Sequence, residues 1–402
     1  MKQRNGTDPR SSADAQQVEP FTIDVADEVL RDLKSRLGAS RFPDQISGSG
    51  WSRGIDLDYL RDLVEYWREG YDWRRQEAQL NRLAHFRTEI DGLRLHFAHV
   101  RSPHAHATPL ILIHGWPGSF VEFLDVVGPL TEPERYGGDV NAACHVVLPS
   151  LPGYGFSERP RIAGWNQKRT ARAYATLMAR LGYERYVAQG GDWGAFVATE
   201  MALADPGHML GLHLNMPVAP PPVEPVQLSA RDQDDIKSMT GFLESEAAYA
   251  LLQGTKPQTI GVALNDSPAG LCGWIAEKFH SWADYRGESA NVIGRDRLLT
   301  NIMLYWVTGS AASAASYYYE FYNQSGAFDS QAFARAQQPV TVPTGVARFP
   351  KEIICMPRTW VERRYNVVRW TDMPRGGHFA ALEQPKLFSD EVRSFVNDLR
   401  RP

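Results

Sequence analysis

Gln189-Gly190-Gly191-Asp192-Trp193-Gly194-Ala195 is the stretch on which the reading of this chain turns. Tyr186-Val187-Ala188 before it is short and apolar, as a buried strand is. Phe196 to Ala204 after it reads as a helix, stopped by Asp205-Pro206-Gly207. A strand that runs through a glycine-flanked turn straight into a helix pushes its central residue out at the strand tip, facing the helix N-terminus. The turn is so tight that flanking side chains would strike the strand and the helix, and glycine removes them. When such a turn carries a nucleophile, the usual residue is serine, in G-x-S-x-G. The central residue of this turn is Asp192, and no G-x-S-x-G occurs in the chain.

An aspartate at that point changes the chemistry. A serine attacks a substrate that already contains a carbonyl. A carboxylate attacks an electrophilic sp³ carbon and forms an ester whose carbonyl belongs to the protein. Water can cleave that ester, whereas serine on the same carbon would leave a stable ether. Asp192 therefore points to an epoxide or a halide. Taken alone, Asp192 is equally well read as a helix N-cap; its partners reverse that reading.

Outward from the turn, Pro109 to Ile113 and Ala143 to Pro149 are continuous apolar runs, as buried parallel strands are. A helix from about Lys168 to Leu181 leads to the turn. The alternation implies an open, mostly parallel α/β sheet with its chemistry in the loops after the strands. Earlier, Phe86 to Ile90 and Leu93 to Val100 flank Asp91-Gly92 and read as a β-hairpin. His96 and His99 fall on opposite faces of its second strand. Residues 20–85 read as a helical leader, and Met1 to Glu19 as a disordered polar tail. Core residues run over 86–216. A helical cap then occupies 217–335, entered by the proline-rich Pro217 to Pro225, with its helices from about Ser229 to Gly326. The sheet resumes over 336–402, where Glu352 to Cys355 and Asn366 to Trp370 read as strands and Pro385 to Leu399 as a helix.

The chain has 402 residues and a net charge of −4, so nothing points to nucleic acid or another polyanion as a partner. Cys144, Cys272 and Cys355 form no metal spacing and no disulfide framework, which favours a reducing cytoplasm. No run is long and apolar enough to suggest a signal peptide or a bilayer span.

A base and an acid are expected further along the chain. His378, in Gly376-Gly377-His378-Phe379, follows the last strand and suits the activation of water. Spacing leaves the orienting acid open among Glu352, Asp372 and Glu362. The oxyanion on Asp192 needs donors. The Trp193 amide supplies one, and Trp116 in His114-Gly115-Trp116-Pro117 fits the other. Ring opening of an epoxide needs a proton donor, and tyrosines are plentiful in the cap: Tyr249, Tyr285, Tyr305, Tyr317, Tyr318, Tyr319 and Tyr322.

His114-Gly115-Trp116-Pro117-Gly118-Ser119, Leu151-Pro152-Gly153-Tyr154-Gly155-Phe156-Ser157, Gly190-Gly191-Asp192-Trp193-Gly194, Thr255-Lys256-Pro257-Gln258-Thr259 and Met373-Pro374-Arg375-Gly376-Gly377-His378-Phe379 occur in that order. With them the sequence resembles the microsomal and juvenile-hormone type of epoxide hydrolase, within the α/β-hydrolase superfamily, from about Phe21 to Leu399. The resemblance implies that Glu352, in Phe349-Pro350-Lys351-Glu352, is the acid. It also points to Tyr249 and Tyr318 as ring-opening donors, a one-residue slip to Tyr317 or Tyr319 being open. It implies hydrolysis of an epoxide by water to a vicinal diol with no metal and no organic cofactor. The membrane-anchoring helix of animal members has no counterpart, which implies a soluble protein like bacterial or fungal members. Cap aromatics such as Trp274 and Trp282 suit a bulky apolar or aromatic epoxide, met in detoxification or on a natural-product intermediate such as an enediyne epoxide. A homodimer is the default expectation. The rival readings are a haloalkane dehalogenase, which needs halide donors, and a non-catalytic ligand-binding protein, which has no need of a base.

Overall fold

The computed structural model describes residues 17–222, 224, 226–285, 293–324 and 338–400. Among these, nine strands form one sheet. They are β1 (Glu19–Phe21), β2 (His85–Ile90), β3 (Leu93–Val100), β4 (Thr108–Ile113), β5 (Cys144–Pro149), β6 (Tyr186–Gly190), β7 (Met209–Leu214), β8 (Val340–Arg348) and β9 (Tyr365–Asp372). Their order across the sheet is β1-β2-β3-β5-β4-β6-β7-β8-β9. The first three strands and the β3–β5 pair are antiparallel, and every pair from β5 to β9 is parallel. This is an α/β-hydrolase fold, with helices on both faces of a mostly parallel sheet. Leu110 to Ile113 and Val146 to Leu148 are fully buried, as strands covered on both faces must be. The hairpin turn takes positive φ at Asp91 (53°) and Gly92 (75°), which suits the twist of its two strands.

β4 lies between β5 and β6, so the chain order reverses there. Loops leaving the C-terminal ends of β4 and β6 diverge at such a reversal and open a crevice for a ligand. Helix α6 (Trp193–Ala204) begins directly after β6. The passage between them leaves no room for side chains. A Cβ on Gly190 would lie 2.1 Å from the Gly194 carbonyl oxygen, and one on Gly194 would lie 1.9 Å from that of Ile113.

The leader packs as α1 (Asp27–Gly38), α2 (Leu57–Glu69) and α3 (Trp73–Leu80), and the core adds α4 (Leu124–Thr131) and α5 (Gln167–Arg180) ahead of α6. The cap, between β7 and β8, contains α7 (Ala230–Ser245), α8 (Ala248–Thr255), α9 (Pro257–Asp266), α10 (Pro268–Trp282), α11 (Arg295–Thr308) and α12 (Ala311–Gln324). Leader and cap are joined by the Tyr66 hydroxyl, which donates to Asp296 at 2.6 Å, and by Arg36, which pairs with Asp266 at 3.0 Å. Cap and core are joined by an ion pair between Asp235 and Arg348. Among the described residues, no helix is long and apolar enough to cross a membrane.

Two expectations need correction. Glu19 is not tail, because Glu19–Phe21 pairs with His85–Arg87 as the edge strand; residues 1–16 lie outside the described residues, as do Gly326 and the cap boundary at 335. The strand before β9 is Val340–Arg348, not Glu352–Cys355. Pro343 and Gly345 make β8 look irregular in sequence, since proline cannot donate to a sheet and glycine weakens it. The sheet accommodates them with register shifts against β9 at Val340/Pro343 and Thr344/Gly345. Glu352 thereby falls in the loop after β8, at the chemical end of the sheet.

Gly194→Ala should destabilise the protein by about 3 kcal/mol or more, since backbone and not a flexible side chain stands in the way. Gly207→Ala, where a Cβ would meet nothing within 4 Å, should leave the thermal unfolding midpoint within about 2 °C of wild type. Calorimetry of the two variants decides whether the elbow is as tight as its contacts imply.

Candidate active site

Asp192 occupies the tip of the turn with φ 48° and ψ −130°, a conformation costly for a non-glycine residue. Its Oδ1 accepts a hydrogen bond from the Trp116 amide at 2.8 Å. The Trp193 amide, at the start of α6, also bonds to the carboxylate. Two backbone donors therefore converge on it at a helix N-terminus, where negative charge is favoured. Burial raises the Asp192 pKa, against the lowering influence of His378 and the two amides.

The loop carrying Trp116 is held from above by α11. Asn301 donates to the Pro117 carbonyl at 2.7 Å and accepts from the Ser119 hydroxyl at 2.7 Å. The Tyr305 hydroxyl donates to the Gly118 carbonyl at 2.7 Å. Tyr305 is thereby committed to the loop's backbone.

His378 follows β9. Its backbone N–H donates to the Trp282 carbonyl at 3.0 Å. A Cβ on Gly377 would lie 2.5 Å from that same oxygen, which explains the glycine before the histidine. Glu383, in the short helix Ala380–Glu383, accepts from the amides of Gly377 and Phe379, each at 2.9 Å, and from Asp284 at 2.7 Å. The imidazole is thus fixed at its backbone. Nδ1 lies 2.6 Å from Glu352 Oε1, and Nε2 lies 3.6 Å from Asp192 Oδ2. The Ile353 amide donates to Glu352 at 2.8 Å, and Asn215 reaches its other oxygen at 3.5 Å. Burial alone would lower the His378 pKa, but the charges of Glu352, Asp192 and Glu122 and the Glu352 hydrogen bond outweigh it and raise it to about 9. Of the three acids left open by spacing, the structure brings Glu352 to the imidazole. Asp372 pairs with Arg231 at 2.9 Å and Glu362 with Arg358 at 2.6 Å, both on the surface.

Aromatic rings close over Asp192. Tyr249 stacks on Trp116 with centroids 4.7 Å apart, and Tyr318 stands edge-on to Trp193 at 4.6 Å. The two tyrosine rings lie 5.8 Å apart with their hydroxyls in hydrogen-bonding contact. Burial first, and the Asp192 charge second for Tyr249, hold these phenols well above their usual pKa, so they stay protonated donors. Tyr317 turns away to donate to Thr170 at 3.0 Å, and Tyr319 is exposed. Tyr285 bonds the Phe279 carbonyl outside this cluster. Trp282 lies 5.2 Å from Tyr249 and 5.1 Å from His378, whereas the Trp274 indole points to Gln253.

Three polar residues of the site went unnoticed in the sequence: Glu122, Asn215 and Glu383. Asn215 stands just after β7, a position that could have drawn attention. Glu122 and Glu383 gave no signal, since each acts through a local turn of chain that only the fold brings to the site. Glu122 lines a small cavity with Asp192 and His378. Burial raises its pKa to about 8, opposed by His378 and reinforced by Asp192. Among the described residues, no group of three or more His, Cys, Asp or Glu side chains is placed to hold a metal ion.

Comparison with known proteins adds to this geometry. Residues 18–123 match the family model for the epoxide hydrolase N terminus, and residues 108–385 match that for the alpha/beta hydrolase fold. A putative epoxide hydrolase of Stigmatella aurantiaca is 46% identical, over 95% of this chain and 86% of that one. Epoxide hydrolase 1 of Sus scrofa is 37% identical, over 97% and 91%. The crystal structure of the juvenile hormone epoxide hydrolase from the silkworm Bombyx mori superposes with a TM-score of 0.86 at 31% identity, covering 96% of this chain and 95% of that one.

The His378 pKa of about 9 lies above the ordinary 6.5, so the imidazolium stabilises the fold. That contribution is fully present below about pH 6.5 and is lost as pH rises through about 9. Glu122, raised from 4.5 to about 8, acts in the same sense, its contribution fully present only below about pH 4.5 and lost as pH rises through about 8. Thermal midpoints of the wild type should therefore fall across this window, and His378→Gln should flatten the fall. An equally steep fall in that variant would assign the loss to other groups.

Proposed function

The chain belongs to the epoxide hydrolases of the microsomal and juvenile-hormone type, and within that family we propose that it opens bulky apolar or aromatic epoxides through a covalent ester on Asp192. The observation that carries this reading is the line from Glu352 through His378 to Asp192, at 2.6 and 3.6 Å, with the Trp116 amide 2.8 Å from the other carboxylate oxygen.

Asp192 Oδ2 attacks an epoxide carbon and the ring C–O bond breaks. Tyr249 and Tyr318 hold the ring oxygen and protonate it as it becomes an alkoxide. The phenol regains its proton at the expense of the imidazolium, so His378 is neutral while the ester stands. Esterification favours this, because it removes the Asp192 charge that helped hold the proton on His378. His378 Nε2 then takes a proton from water as the water oxygen bonds to the Asp192 carboxyl carbon. The amides of Trp116 and Trp193 hold the oxyanion. Collapse breaks the bond to the substrate, whose oxygen takes the proton from His378 and leaves as the second hydroxyl of a diol. The remaining carboxyl proton returns to His378.

The apolar wall of Trp116, Trp193 and Trp282 suits a substrate with an aromatic or aliphatic body. Such a substrate fits either the disposal of foreign epoxides or a step on a natural-product epoxide. The buried, unpaired Cys144, Cys272 and Cys355 fit a cytoplasmic location.

His378→Gln exposed to styrene oxide should gain the mass of one epoxide on the peptide containing Asp192, while the wild type yields diol. Absence of both adduct and diol across a panel of bulky epoxides would overturn the proposal. Tyr249→Phe and Tyr318→Phe should each slow ester formation by roughly 10–100-fold, and the pair by more, read from single-turnover adduct formation.

A further inference from the structure

The small cavity beside Asp192 has a volume of about 20 Å³, enough for a water molecule. Its walls include Glu122, Asp192, His378, Gln189 and Asn215. Tyr249 and Tyr318 are not among them. A buried water needs two to four polar partners, and this wall supplies them. The cavity therefore adjoins the carboxyl carbon that water must attack and the imidazole that must take its proton.

Glu122 is built into this place. It projects from a single 3₁₀ turn, Phe120–Phe123, directly after the Trp116 loop. A Cβ on Gly118 would lie 1.5 Å from Glu122 Oε1, so the acid fills the space that any larger residue at 118 would claim. The Ser119 amide bonds to its carboxyl group, and Ser119 is itself tied to Asn301 of α11. The ring-opening step leaves Glu122 without a task.

We propose that Glu122 is a water-positioning residue: together with His378 it holds the hydrolytic water in this cavity and aims its lone pair at the Asp192 ester carbon. This rests on the covalent-ester reading given above. Of the two hydrogens of that water, His378 Nε2 removes one, and the Glu122 carboxyl group accepts a hydrogen bond from the other. The water oxygen then remains in the Asp192 carboxyl group when the diol leaves, and the second hydrogen is the one returned to His378. The placement is supported geometrically, since Glu122, Asp192 and His378 all line the one cavity.

Glu122→Gln keeps the shape of the acid and its bond from the Ser119 amide, but its remaining heteroatom is an NH2 donor that cannot accept from water. With styrene oxide in single-turnover rapid quench followed by intact-mass analysis, ester formation should stay within about 3-fold of wild type while ester decay slows roughly 10–100-fold. In the steady state kcat and KM should fall together, leaving kcat/KM nearly unchanged, because decay of the intermediate limits turnover. Glu122→Asp, which keeps the acid but draws it back by one methylene, should show the same selective slowing. Ester decay at the wild-type rate in both variants, or equal loss in formation and decay, would overturn the assignment. His378→Gln, run alongside, separates the two readings. If it accumulates ester while the Glu122 variants decay normally, only the role of Glu122 fails. If no variant forms ester, the covalent reading fails first.

Discussion

The closeness of two chain turns governs this molecule. The loop after β4 and the turn after β6 approach until there is no space for a methyl group. A Cβ on Gly194 would meet the Ile113 carbonyl, and one on Gly115 would fall 2.2 Å from Asp192 Oδ1. Asp192 is held at positive φ in that vise. The cost of an unfavourable backbone is of order 1–3 kcal/mol, and the tightly packed sheet beneath can bear it. In return the carboxylate stands within hydrogen-bond distance of a backbone amide fixed on the neighbouring loop. A looser pair of turns would relax the backbone and lose the donor together.

Charge is the second constraint. Asp192, Glu122, Glu352 and His378 share a buried interior with a single cation among three acids. Burial disfavours every charged form, so the group cannot hold all four charges comfortably. His378 is driven up in pKa by its acidic neighbours, and Glu122 is pushed toward neutrality. The acids differ in the groups that serve them. Glu352 is served by the Ile353 amide and the imidazole, Asp192 by two backbone amides, and Glu122 by the Ser119 amide. Any change of charge on one member therefore changes the protonation preference of its neighbours.

The features written locally were legible in the sequence. Glycines around Asp192, the Asp91-Gly92 hairpin and the Gly376-Gly377-His378 turn each follow from steric limits within a few residues. What depended on long-range packing was not. β8 hides behind Pro343 and Gly345, whose cost is met by register shifts that no local pattern reveals. Glu352 could not be separated from Asp372 and Glu362 by spacing, because the choice depends on which loop end reaches His378. Tyr317, Tyr318 and Tyr319 are adjacent in sequence but point in directions about 100° apart around α12; only the seating of that helix on Trp193 and Trp116 selects among them. Glu122 was invisible for a similar reason. Its place beside Asp192 comes from a 3₁₀ turn that folds its side chain back over Gly118.

Asn301 and Tyr305 place three hydrogen bonds from α11 on the backbone and hydroxyl of Pro117, Gly118 and Ser119. That loop also presents the Trp116 amide. The cap is therefore tied to the loop that holds the Asp192 carboxylate by its backbone. Any excursion of α11 that widened the crevice would slacken the loop and disarm the carboxylate's hydrogen bond. The backbone donor to Asp192 is then only as steady as the seating of the cap.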